Sequence, residues 1–258
     1  MAVARQLRIL LLLLVLLGVA VGAWIERASI AGWKTPVIVA LSPINADGSP
    51  VAEQYIAALQ VEQLQAVADF FEEQRAEYEL PLETPIQLTL TPPVRELPPM
   101  LADQPNVLQI MWWSLRLRAW TRFSAPRPPG PTPRIRLFLL YHDPALAPTL
   151  RHSIGLQKGL VGVVNLFADK RMAGSNTVVI AHELLHTLGA TDKYDMADNS
   201  PLYPEGYAEP DRNPLLPQAF AEIMAGRIPI SETDARTPES LAQVVIGPAT
   251  ATEIAWLK

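Results

Sequence analysis

The chain has 258 residues, a net charge of −5 and no cysteine, enough length for one good-sized domain or two small ones. The absence of cysteine removes disulfides, thiolate metal ligands and a cysteine nucleophile together. Mild acidity without a long basic run argues against nucleic acid as a partner. The 25 prolines gather in connecting segments and predict fixed, irregular loops.

At the N-terminus, Arg5 and Arg8 precede an uncharged apolar run from Ile9 to Ile25, closed by Glu26 and Arg27. A bilayer-spanning helix takes about 20 apolar residues and a signal-peptide core only about 7–15. The run therefore predicts a transmembrane signal anchor over residues 1–29. The leading arginines keep its N-terminus cytoplasmic and place residues 30–258 outside the cytoplasm, with the membrane as a partner through the N-terminal helix. A signal peptide cut after Val21-Gly22-Ala23 is the alternative, and it would release a secreted domain.

Pro36 to Leu41 reads as a strand ended by Ser42-Pro43, and Ala46 to Pro50 as a loop. Val51 to Glu79 has helical periodicity, with Leu59, Leu64, Val67, Ala68, Phe71 and Tyr78 as its apolar positions. Ile86 to Leu90 alternates as a half-buried strand does, and a proline-rich loop runs from Thr91 to Pro105. Val107 to Phe123 reads as a helix with Trp112, Trp113 and Trp120 beside Arg116, Arg118 and Arg122. It is expected to pack on the sheet with a solvated basic face, although tryptophan and arginine also suit a membrane interface. After the stiff connector 124–134, Ile135 to Tyr141 and Gly159 to Phe167 read as strands, the second an edge strand whose glycines mark a bulge or a close approach. Ser175 or Asn176 caps a helix running to Leu188, and Gly189 ends it in the left-handed conformation. Residues 190–258 have few periodic runs. The expected class is α+β, a mixed sheet with helices followed by an irregular C-terminal half.

That last helix carries the chemistry. Its sequence, His182-Glu183-Leu184-Leu185-His186, places two histidines four apart, on one face and about 6 Å apart along the axis. Both imidazoles can reach one ion, while Glu183 lies off that line, able to take a proton from a metal-bound water. Gly189 follows three residues after His186, and Asp192 three after that. A sharp turn at the glycine brings Asp192 back to the same ion. Three ligands, His182, His186 and Asp192, then leave the fourth position of a catalytic zinc open.

The pattern H-E-x-x-H-x-x-G-x-x-D resembles the metzincin clan of zinc endopeptidases, and its aspartate resembles the snapalysin-type and immune-inhibitor-A-type bacterial proteases. The resemblance implies a zincin catalytic domain, one catalytic Zn2+, Glu183 as general base, and a methionine turn below the metal. Ala221 to Gly226, with Met224, fits that turn. Gly226 stands where some members carry a tyrosine that approaches the metal. Tyr194, Tyr203 and Tyr207 remain candidates for that electrophilic role.

The third ligand has rivals in Glu205, Glu209 and Glu222, as in thermolysin-like sites. Asp195, Asp198 and Asn199 are candidates for orienting a ligand histidine or holding Ca2+. His142 and His152 are weaker candidates for metal or substrate contact. The expected activity is zinc-dependent hydrolysis of peptide bonds in envelope or extracellular proteins, with substrate added to the edge strand. A non-catalytic envelope protein with a structural metal, or a metal-free interaction module, are the other readings.

Overall fold

The computed structural model describes Gln6, Leu13, Leu14, Ala125 and residues 32–102, 106–123, 130–157 and 160–257. The chain divides into two compact units, residues 1–32 and 33–258. In the first, Gln6, Leu13 and Leu14 are helical. The membrane anchor expected over residues 1–29 is corrected. Among the described residues no helix is long and apolar enough to cross a membrane. The longest, Val107–Phe123, has 17 residues and carries three arginines, a poor composition for a span. Leu13 and Leu14 apart, the apolar run and the cleavage site read into it lie outside the described residues. The single-pass, extracytoplasmic placement is withdrawn with the anchor.

The second unit is built on five strands: β1 (Val37–Asn45), β2 (Ile86–Leu90), β3 (Ile135–His142), β4 (Ile154–Leu156) and β5 (Val161–Phe167). They lie in the order β2-β1-β3-β5-β4. β1 pairs parallel with β2 and β3, β3 pairs parallel with β5, and β4 alone runs antiparallel, as the outer arm of a hairpin with β5. The unit is α+β with a mixed sheet. The central strands β1, β3 and β5 are buried nearly throughout, as parallel strands covered on both faces must be.

The two coverings follow from strand alternation. On one face, Phe138 and Leu140 of β3 and Val161 and Val163 of β5 meet Trp113 and Leu117 of α3 (Val107–Phe123). Helices α1 (Pro50–Ala57) and α2 (Gln65–Glu77) lie earlier in the chain. On the other face, Gly155 of β4 meets α4 (Ala173–Leu188), which also packs on β5 and α2.

Several expected elements change in detail. The helix expected over 51–79 is broken into α1 and α2. Gln60 is extended, and its N–H donates to the Gln63 side chain at 2.8 Å. That local capping box, opening a 3₁₀ turn at Val61–Gln63, competes with continuing the helix. The first strand runs through Pro43 to Asn45 rather than stopping before it. Pro43 lies past the end of β2, and its carbonyl accepts from Val94 at 2.9 Å on that side. Its missing N–H therefore costs no bond in the β1–β3 ladder. The strand read at 159–167 is not an edge strand: β5 is enclosed by β3 and β4, and β4 holds the edge.

Candidate metal centre

Helix α4 begins at Ala173, ahead of both expected caps. Asn176 instead clamps the helix to the sheet: its side-chain oxygen accepts from Phe167 N–H at 3.2 Å, and its amide donates to Phe167 O at 2.9 Å. At the other end Gly189 takes φ 115, and the N–H groups of Gly189 and Ala190 both donate to Leu185 O at 3.0 Å. This left-handed closure returns the chain toward the helix face that carries the histidines.

His182 Nδ1 lies 2.9 Å from Ile223 O, and His186 Nδ1 lies 2.9 Å from Ala190 O. A carbonyl only accepts, so each Nδ1 carries a proton, and each Nε2 presents a lone pair whenever its ring is neutral. The two Nε2 atoms face the same oxygen, Asp192 Oδ1, at 3.3 and 3.2 Å. That oxygen is buried and has no hydrogen bond. Around a tetrahedral zinc with bonds of about 2.0–2.2 Å, neighbouring ligand atoms stand about 3.3 Å apart. Three such donors need a cation at their meeting point: a proton on an Nε2, which the raised pKa of His182 favours, or a metal ion, which would be coordinated by all three at once. His182, His186 and Asp192 form the one such metal-compatible group among the described residues.

The electrostatics follow from this crowding. Burial works against a proton on His182, but Asp192, Glu183 and the Ile223 carbonyl outweigh it and raise its pKa. Burial pushes the Asp192 carboxyl up, yet the two imidazoles hold it well below the usual carboxylate range. For Glu183, burial is the largest effect and raises the pKa; His182 and His186 pull it back, and Asp192 adds to the rise. Glu183 is 5% exposed, and its Oε2 has no hydrogen-bond partner. Such an atom is a strong claim on a water or a substrate group.

The segment 221–226 underlies the site. Ile223 supplies the carbonyl that orients His182, and Met224 O accepts from Lys193 N–H at 3.0 Å. Met224 is fully buried. Glu222 is engaged elsewhere: its carboxylate accepts from the N–H groups of Met224, Ala225 and Gly247 and from the Thr250 hydroxyl. Four donors make it the organiser of the turn and leave no lone pair aimed at the histidines. Glu209 binds Arg212 and Ala219 N–H, and Glu205 is exposed. None of the three glutamates joins the group.

The Asp195 and Asp198 side chains accept from Ala197 N–H and Ser200 N–H within their own loop, and neither belongs to a metal-compatible group. His142 is bonded to Asn165 at 3.0 Å. His152 lines a cavity of about 440 Å³ with Trp113, Ile154, Val163 and Met196. Among the tyrosines, Tyr194 lies within reach of Asp192 and Glu183. Burial first, then these two carboxylates, push its hydroxyl up to about 12. Tyr203 and Tyr207 instead meet edge to face, with ring centroids 5.3 Å apart.

Two contributors were not legible beforehand. Gly155 sits against α4, in a three-residue strand without a periodic pattern of its own. Glu253 accepts from Thr191 N–H, Thr191 Oγ1 and Lys193 Nζ, so it grips both neighbours of Asp192 from the far end of the chain. Comparison of the chain with the models of known protein families and with curated proteins gives no match.

Proposed function

We propose that this chain is a zinc-dependent peptidase of the metzincin-like kind that its motif resembles. The supporting observation is the convergence of three lone-pair donors, His182 Nε2, His186 Nε2 and the unbonded Asp192 Oδ1, beside a buried carboxylate with an unpartnered oxygen. The two histidines and the aspartate would hold Zn2+. Bound zinc would supply Lewis acidity toward a water and toward a substrate carbonyl. Glu183 would take the water's proton and pass it to the leaving amine. The group holds no fourth His, Cys, Asp or Glu among the described residues, which favours an open catalytic position over a structural clamp.

The substrate class that fits is an extended peptide. β4 has β5 on one side only, and its Gly155 lies beside Glu183. A strand added there would pass the catalytic carboxylate. Its alternate side chains would face the cavity lined by Trp113, Ile154 and Val163.

The test is metal analysis of the purified chain, prepared without chelator, together with proteolysis of an unstructured protein such as casein. The expected result is one equivalent of zinc, and activity that a chelator removes and added zinc restores. Glu183→Ala should keep the zinc and lose the activity. A metal-free chain, or an active Glu183→Ala variant, would overturn the reading.

A further inference from the structure

Helix α3 turns one face to the sheet and leaves the other uncovered. Trp113 and Leu117 are buried, and the Trp120 ring meets Phe138 at 4.7 Å between centroids. On the opposite side an amphipathic helix should be polar. Here it is not: Leu108 is 75% exposed, Met111 59%, Trp112 65%, Leu115 55% and Phe123 84%. At 100° per residue, Leu108, Met111, Trp112 and Leu115 form one continuous stripe. Arg116 and Arg118 fall on its two sides, and Arg122 lies at its C-terminal end.

The charge of the region is equally one-sided. From Gln104 to His142 the chain has six arginines and no aspartate, glutamate or lysine, within a protein whose net charge is −5. Leu97 and Met100 are also about half exposed, and Pro99 O accepts from the Trp113 indole at 2.7 Å, which fixes that loop beside the helix. An exposed apolar patch of this kind marks a docking surface. A protein partner would be recognised by an apolar face with acids at its rim. The flanking arginines, whose long stems let the charge reach outward while the stripe sinks in, match a phospholipid headgroup layer more closely.

We infer that α3 is a peripheral docking element for an anionic lipid surface, lying flat in the headgroup region with Leu108, Met111, Trp112 and Leu115 inserted and the arginines on lipid phosphates. It does not cross the bilayer. This inference does not depend on the peptidase reading.

The absence of cysteine makes the test local. Single-cysteine forms of the full chain, Leu108→Cys and Leu115→Cys, carry an environment-sensitive fluorophore, with Glu62→Cys, exposed outside α3, as the comparison. Vesicles of one part phosphatidylglycerol to two parts phosphatidylcholine should blue-shift and brighten the labels at 108 and 115. Nitroxide lipids should quench both, and the label at 62 should not respond. Replacing Arg116, Arg118 and Arg122 with glutamine should raise the lipid concentration for half-response on the order of 100-fold, with the circular dichroism spectrum unchanged. Silent labels at 108 and 115 would overturn the proposal. So would an equal response on phosphatidylcholine alone. A label change that tracks protein concentration without lipid would assign the face to a second copy of the chain and overturn it too.

Discussion

An imidazole has one N–H and one lone pair, and its surroundings decide which nitrogen holds which. In this chain the decision is made twice by main-chain carbonyls, Ile223 for His182 and Ala190 for His186. The motif alone says that two rings share a helix face; the two carbonyls say which atoms face outward from it. Such backing partners fix the tautomer and raise the basicity of a ligand histidine. The next residue outward is Tyr194, beside Asp192 and Glu183. With its hydroxyl pushed up to about 12, it stays protonated at neutral pH and can donate a hydrogen bond to a developing negative charge. Tyr194→Phe is therefore expected to lower kcat/KM on casein by roughly 10- to 100-fold, at or below the loss seen when an oxyanion donor is removed. Zinc content should be unchanged. Tyr203→Phe and Tyr207→Phe should behave as the wild type. A Tyr194→Phe chain with full activity would remove the tyrosine from the mechanism.

At the scale of elements, helix α4 announces itself and strand β4 does not. The α4 sequence is apolar on several sides, ends in a glycine, and is followed by the third donor three residues on. Each of these features is local. β4 is three residues long and owes its existence to pairing with β5, so its pattern carries no message of its own, and the sequence places the edge one strand further along the chain, at β5. The break between α1 and α2 was hidden for the opposite reason, since the apolar spacing runs on through Gln60 while a side-chain cap interrupts the backbone. The consequence of β4 lies at Gly155. A Cβ there would stand 2.5 Å from Glu183 O and 2.6 Å from His186 Cβ, closer than packed atoms allow, with helix backbone as one of the obstacles. Gly155→Ala is expected to push β4 off α4, with a stability loss of about 1–3 kcal/mol by overpacking. Activity should fall by more than the unfolded fraction explains, because the displaced groups belong to the helix that carries His182, Glu183 and His186. Thermal unfolding measured beside zinc titration and casein turnover checks this; wild-type values in both would show that the helix and strand are not held at this spacing.

At the scale of the molecule, the irregular C-terminal half is a frame for the turn after α4. Its order was illegible because the bonds that create it span long stretches of sequence: Glu222 reaches Gly247 and Thr250, and Glu253 reaches Thr191 and Lys193. Composition and periodicity carry no trace of such pairs. Glu253 makes the most consequential one. It bridges α5 (Pro248–Glu253) to both neighbours of Asp192, and Lys193, its partner at 2.8 Å, is only 3% exposed. Glu253→Gln leaves that ammonium buried without its carboxylate. The expected cost is about 2–3 kcal/mol at neutral pH, below the value for a wholly enclosed pair, because the Glu253 side chain is 29% exposed. The pH dependence has a definite sign. Burial pushes the Glu253 carboxyl up, but Lys193 and Thr191 outweigh it and leave the pKa lowered in the folded chain. Its contribution is thus complete above the unfolded value of about 4.3 and disappears as pH falls through the lower folded value. Chemical unfolding of wild type and Glu253→Gln should differ by a constant amount near neutrality, and the gap should close in acid below about pH 4.3. Zinc affinity should drop in the variant as well, since Thr191 and Lys193 no longer hold Asp192 in register with the histidines. A stability gap that persists undiminished into acid would mean that the carboxylate's charge is not what holds this turn. Unchanged zinc affinity would mean that Asp192 is positioned by α4 and Gly189 alone.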